Sequence, residues 1–148
     1  ISLRFILFMN SLIFFFAPIL GFLCAGIIKF LINSYKTKGY AFSEIGLGGF
    51  PSTHNTIVSS TYFTISLAKG FDSIESSIAL ALCLVVSIDS LDLRKKIEQQ
   101  SEIISKLTNE GKMLRKKIGH SFSEVLAGYF LGFLIALFLN YQTIIPSL

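Results

Sequence analysis

The chain has 148 residues, of which 52% are hydrophobic and 15% charged, and it carries a net charge of +4. Soluble domains usually carry about 25% charged residues; here the mean hydropathy is +0.66 and the apolar residues come in long blocks. An ordinary soluble domain is excluded, and one compact all-α membrane domain, residues 1–148, is the expected unit.

The first apolar block covers residues 3–32, broken by Asn10, Ser11 and Pro18. A span needs about 20 residues, so the block is too long for one straight crossing and too short for two. The favoured reading is an extra N-terminal hydrophobic segment, residues 1–17, and then a membrane helix starting near Pro18, where proline suits a first turn. One long helix kinked at the proline is the alternative. The block lacks a small-residue cleavage site before a polar start, so it is expected to be retained rather than removed as a signal peptide. Residues 33–50 are polar and contain glycine, as a membrane-surface loop would. In residues 51–68, Ser and Thr interleave with apolar residues, the pattern of a helix packed against protein more than lipid. Residues 69–76, KGFDSIES, predict a turn with Asp72 or Ser73 as N-cap, and residues 74–88 a third apolar helix.

Residues 89–118 differ, holding eight of the 13 Lys/Arg and five of the 9 Asp/Glu. Leu93, Ile97, Ile104 and Leu107 recur at helical spacing there, which predicts a charged amphipathic helix on the solvent side, interrupted near Gly111. Residues 119–139 read as the last membrane helix. Cys24 and Cys83 lie inside apolar runs without a CxxC pattern, so they read as packing residues, with no disulfide framework or zinc site. The basic residues flank the apolar blocks, which the positive-inside bias explains without nucleic acid as a partner. Lys36 and Lys38 in the first polar loop and the basic residues of 89–118 are separated by two crossings. They should share one side, the cytoplasmic one.

Three clusters fall on that side. One is Lys29 with Lys36 and Lys38; the second is GGFPSTH, leading into a helix; the third is LRKKIGHSFSEVLAGYFLG, leading into the last helix. His54 and His120, the only 2 histidines, both sit at helix starts. A helix N-terminus offers unpaired N–H groups and partial positive charge, which suits an anion. Glycines allow close backbone approach, Ser52 and Thr53 add hydroxyl donors, and Lys and Arg supply charge-assisted bonds. Glu124, four residues after His120, shares its helical face and can hold the imidazole in one tautomer, as a nucleophile or base requires.

GGFPSTHNT and GHSFSEVLAGYFLG resemble motifs of the phosphatidic acid phosphatase type 2 superfamily. The nearer match is its divergent branch, with G-G-x-P-S-S-H, an Asp-x-x-x-Val-Arg-Arg stretch and G-H-x-x-x-E-V-x-x-G. DSLDLRKK, residues 89–96, fits the middle element with Leu for Val and Lys for the second Arg, and the resemblance covers residues 18 to about 139. It implies a metal-independent lipid phosphatase or phosphotransferase without a cofactor, acting on polyprenyl- or glycerolipid-type phosphates. His120 would attack phosphorus, Glu124 would orient it, and His54 would protonate the leaving oxygen. Ser52, Thr53, Lys29, Lys36, Lys38, Arg94 and Arg115 would hold phosphate oxygens. The chain departs from the first and third motifs. Lys29 and Lys36 keep a Lys-six-residues-Arg spacing with Lys for Arg and Thr37 for Pro. Leu114 stands where the third motif has Arg, with Arg115 one position off, and Glu124 replaces Asp.

Taken singly these residues have plainer readings: structural histidines, a snorkelling Lys29, lysines that only set topology, Asp89 as a helix boundary, Gly128 and Gly132 as a packing seam. Taken together they predict a small helix bundle in a bacterial inner membrane. Residues 18–140 would form the phosphatase-like core, with a lipid-phosphate site facing the cytoplasm. A membrane protein that binds anionic headgroups or a partner without turnover is the alternative from another class. A small transporter or channel subunit fits less well, because the polar residues cluster at one end rather than along a pore.

Overall fold

Apolar side chains facing lipid gain little by clustering, so a membrane bundle is held by close approach of small and hydroxyl-bearing residues. That rule decides which helix occupies the middle. The computed structural model describes residues 3–37, 49–108 and 119–144, with side chains described over 12–36, 49–107 and 119–141. Among the described residues every regular element is helical. The helices are α1 (Leu3–Thr37), α2 (Thr53–Lys69), α3 (Ile74–Ile88), α4 (Arg94–Thr108) and α5 (Phe122–Ile144), with a π-helical turn, Asp89–Leu93, joining α3 to α4. Three stretches are long and apolar enough to cross a membrane: Leu12–Lys36, Ile74–Leu107 and Phe122–Tyr141.

The least apolar of the packed helices, α2, lies in the centre against α5, α1 and α3. Its buried side chains are Thr53, Asn55, Thr56, Val58, Ser59, Ser60, Thr64 and Ser66, as the interleaved Ser and Thr predict. Several of these hydroxyls bond back to their own helix: Thr56 Oγ1 donates to the Ser52 carbonyl at 2.9 Å and Ser60 Oγ to that of Ile57 at 2.9 Å. Others tie neighbours, Ser60 Oγ reaching the Ala17 carbonyl of α1 at 3.0 Å and Ser59 Oγ the Gly128 carbonyl of α5 at 3.3 Å. Gly128 and Gly132 permit this approach of α5. A Cβ on Gly128 would lie 2.7 Å from the Ser52 carbonyl oxygen, and one on Gly132 would overlap Ser59 Oγ and stand 2.6 Å from the Ser60 nitrogen. The packing seam expected for this glycine pair is therefore present, and it faces α2.

Large apolar side chains of α1 (Phe22, Ile27, Leu31), α3 (Ile78, Leu82, Val85) and α5 (Phe130, Phe138) point outward, where lipid would lie. A small apolar cluster of Ala17, Ile135 and Leu139 joins α1 to α5, and Phe63 of α2 meets Phe133 of α5 edge to face at 5.1 Å.

One expectation changes. No break occurs near Pro18: α1 is one helix with the proline inside it, which agrees with the alternative reading in its single helix and not with the favoured start near Pro18. A proline is tolerated within membrane helices where neighbouring helices pack against the disturbed backbone, and at this level α2 packs on α1, Ser60 Oγ donating to the Ala17 carbonyl. Residues 74–88 form α3, the expected third apolar helix, and the π turn then carries the chain on into α4. The turn between α2 and α3 is capped by Ser73, whose Oγ accepts from the Ser76 nitrogen at 3.2 Å.

Candidate functional site

The starts of α2 and α5 lie side by side. The Ser52 nitrogen donates to the Glu124 carbonyl at 2.9 Å, so the two helices run parallel from a common end. The π turn reaches the same end, where the His120 nitrogen donates to the Ser90 carbonyl at 3.1 Å. Lys29 of α1 completes the group. It is 1% exposed and acts electrostatically on both histidines, as does Arg94. Four segments widely separated in sequence thus bring His54, His120, Lys29, Arg94 and Glu124 together.

Ser121 opens α5 with a capping box. Its hydroxyl accepts from the Glu124 nitrogen at 3.3 Å, and Glu124 Oε2 accepts from the Ser121 nitrogen at 3.1 Å. The same Oε2 lies 3.0 Å from His120 Nδ1. A carboxylate only accepts, so Nδ1 carries the proton and the Nε2 lone pair is left for chemistry. Burial pushes the His120 imidazole below the usual histidine range; the bond to Glu124 opposes that shift and the positive Lys29 and Arg94 reinforce it. A neutral His120 is the form able to attack an electrophile.

At the start of α2, the Ser52 hydroxyl makes no bond to the first-turn N–H groups; it accepts instead from Asn55 Nδ2 at 2.9 Å. The buried Thr53 Oγ1 and His54 Nδ1 find no partner among the described residues. An uncapped N-terminus beside an unpartnered hydroxyl, a buried lysine and an arginine is suited to an anion with several oxygens.

Of the residues expected in the site, Lys29, Thr53, His54, Arg94, His120 and Glu124 come together, while Ser52 is turned to a structural bond. Lys36 stands exposed in the last turn of α1, about 10 Å beyond Lys29 along the helix. Lys38 and Arg115 lie outside the described residues. Among the described residues no three His, Cys, Asp or Glu side chains gather as metal ligands would.

Sequence reasoning missed the layer beneath. Asn55 Nδ2 also reaches Ser90 Oγ at 3.3 Å, and Asn55 Oδ1 accepts from Ser87 Oγ at 2.8 Å. The Ser87 and Tyr129 hydroxyls pair at 2.9 Å, and Tyr129 OH lies 3.2 Å from the Cys83 carbonyl. One buried amide thereby fastens α2 to α3 and to the π turn that holds His120. The asparagine following the histidine in PSTHN was the available signal. The family described as Divergent PAP2 family matches the chain over residues 10–135. No curated protein and no solved structure matches it.

Proposed function

The chain belongs to the divergent PAP2 family, and from that premise we propose that it is a membrane lipid-phosphate phosphatase working through a phosphohistidine. The observation that carries the reading is the buried His120–Glu124 pair, which leaves Nε2 without a bond from the described residues, with His54, Lys29 and Arg94 near enough to act on the imidazole electrostatically. Family membership by itself supports only a relation to a phosphatase superfamily.

In the first step His120 Nε2 attacks phosphorus; a P–N bond forms, the P–O bond to the lipid alkoxide breaks, and a proton on His54 passes to the departing oxygen. In the second, water gives its proton to His54 and its oxygen to phosphorus. The P–N bond breaks, phosphate leaves, and His120 recovers its lone pair. Glu124 holds the Nδ1 proton throughout and balances positive charge on the imidazole. The equatorial oxygens gain charge in the transition state, and the fixed donors for them are Lys29, Arg94, Thr53 Oγ1 and the first-turn N–H groups of α2. Lys36, about 10 Å along α1 from Lys29, would act further out, on headgroup or diphosphate oxygens, and Lys38 and Arg115 are proposed as further phosphate-binding cations. Polyprenyl phosphates, phosphatidate-like lipids and their diphosphates all present such a group, and cytoplasm-facing basic loops would put the site on the inner leaflet of a bacterial plasma membrane.

The test is phosphate release by the detergent-solubilised protein from a panel of these lipids. Turnover that His120→Ala abolishes is the expected result. A wild-type protein that binds the lipid phosphates but releases nothing from any of them would leave the headgroup-binding alternative in its place.

A further inference from the structure

Asp89 and Arg94 are five residues apart. On an α-helix that separation puts side chains about 140° apart around the axis, unable to meet. Here the π turn intervenes: the Arg94 nitrogen donates to the Asp89 carbonyl across five residues, and Arg94 Nε donates to Asp89 Oδ2 at 2.6 Å. The wider turn is what makes the ion pair geometrically possible, and π turns occur frequently at functional sites. Only Nε is engaged; the two terminal nitrogens of Arg94 bond to none of the described residues. The same turn holds the His120 backbone through Ser90, and Arg94 acts electrostatically on both histidines.

We propose that Asp89 is a positioning residue for Arg94: it fixes the guanidinium through Nε so that the terminal nitrogens face the phosphate site between His54 and His120. This rests on the phosphate-binding reading above. A guanidinium held by one edge offers its remaining N–H groups as a preset fork, which a lysine cannot do. It also gives a reason for a carboxylate beside an anion site, where Coulomb's law alone disfavours one.

That conflict supplies the test, because the two accounts predict opposite signs. If Asp89 were only a nearby negative charge, removing it would tighten binding of an anion. Inorganic phosphate binding by the purified full chain in detergent is measured by titration calorimetry, in the wild type and in an Arg94→Ala background. Asp89→Ala, which removes the acceptor, should weaken binding about tenfold, the scale of one charge-assisted hydrogen bond. Asp89→Asn keeps an acceptor oxygen without the charge and should bind as well as wild type or better. In the Arg94→Ala background the loss caused by Asp89→Ala should disappear. If Asp89→Ala is not helical in the micelle, Asp89→Glu serves: charge is retained but displaced by one methylene, so positioning predicts a severalfold loss and proximity predicts none. Binding by Asp89→Ala at or above the wild-type affinity overturns the proposal, as does a loss that persists without Arg94. Wild-type protein that binds no phosphate overturns the phosphate-site reading itself, and the positioning role with it.

Discussion

His54 and His120 are the same side chain, and their neighbours divide the work between them. His120 has a carboxylate on Nδ1, whereas His54 Nδ1 is buried with no partner among the described residues. With an activated aryl phosphate, whose leaving group needs no proton, His54→Ala should still be phosphorylated but should lose its base for the second step. An acid-labile, base-stable phosphoenzyme, as a phosphoramidate would be, should accumulate in that variant and be absent from His120→Ala. A phosphoenzyme trapped on His54 would reverse the roles. The pH dependence follows from the lowered His120. Its neutral form is favoured by the fold, so the acid limb of phosphate release should lie below pH 6.5, about the ordinary histidine value. The matching stability contribution is intact above that pH and fades as pH falls below it. Glu124 raises the histidine, so Glu124→Gln should move the acid limb to still lower pH while the plateau rate drops on the order of a hundredfold or more; a limb that moves upward would remove Glu124 from this role. His54, His120, Glu124 and Lys29 were legible in the sequence because polar residues inside apolar blocks cost free energy unless something uses them. Asn55 and Ser90 were not. Small polar residues in membrane helices look alike whether they pack or position, and only the 2.9 and 3.3 Å bonds of Asn55 separate the two.

At the scale of the helices, α2 was readable because its serines and threonines predict protein neighbours, and they have them. The passage from α3 into α4 was hidden, since Asp89 looks like a helix boundary and a π turn leaves no compositional trace. The unbroken α1 was open for a related reason: Pro18 suits a first turn or an interior position, and Ser60, which bonds the neighbouring Ala17 carbonyl, lies 43 residues beyond Ala17 in α2. Glycines show the same dependence on context. Gly26 would meet nothing within 4 Å of an added Cβ, whereas Gly132 faces the backbone of α2. Gly26→Ala should therefore leave the thermal midpoint in detergent unchanged or raise it, by up to about 1 kcal/mol of helix propensity. Gly132→Ala should lower it by roughly 1–3 kcal/mol of overpacking and, because Ser59 and Ser60 continue into the turn that carries His54, should reduce phosphate release as well. Equal midpoints for the two variants would mean that α5 does not approach α2 as closely as described.

For the whole molecule the decisive fact is that the chain's chemistry collects at one end. The parallel pair α2 and α5 starts there, α3 finishes there in the π turn, and Lys29 of α1 reaches it. The turn after Lys69 lies at the other end, where the Lys69 ammonium sits 5.9 Å from the ring of Phe14 in the first half of α1. A hydrocarbon core is about 30 Å thick, and 17 residues of α2 extend about 25 Å, so in a bilayer the two ends would be expected near opposite faces. The sequence places Lys36 and most of the remaining basic residues with the site end; by the positive-inside bias that end is expected to be cytoplasmic. Single cysteines at Lys36, Lys106 and Asp72, introduced after replacing Cys24 and Cys83 by serine, test this. All three positions are exposed. In intact cells an impermeant maleimide should label Asp72→Cys, while Lys36→Cys and Lys106→Cys should label only after the membrane is opened. The reverse pattern would turn the site outward and replace an inner-leaflet substrate with one delivered from outside. Labelling that separates Lys36 from Lys106 would break the common end on which the catalytic geometry depends.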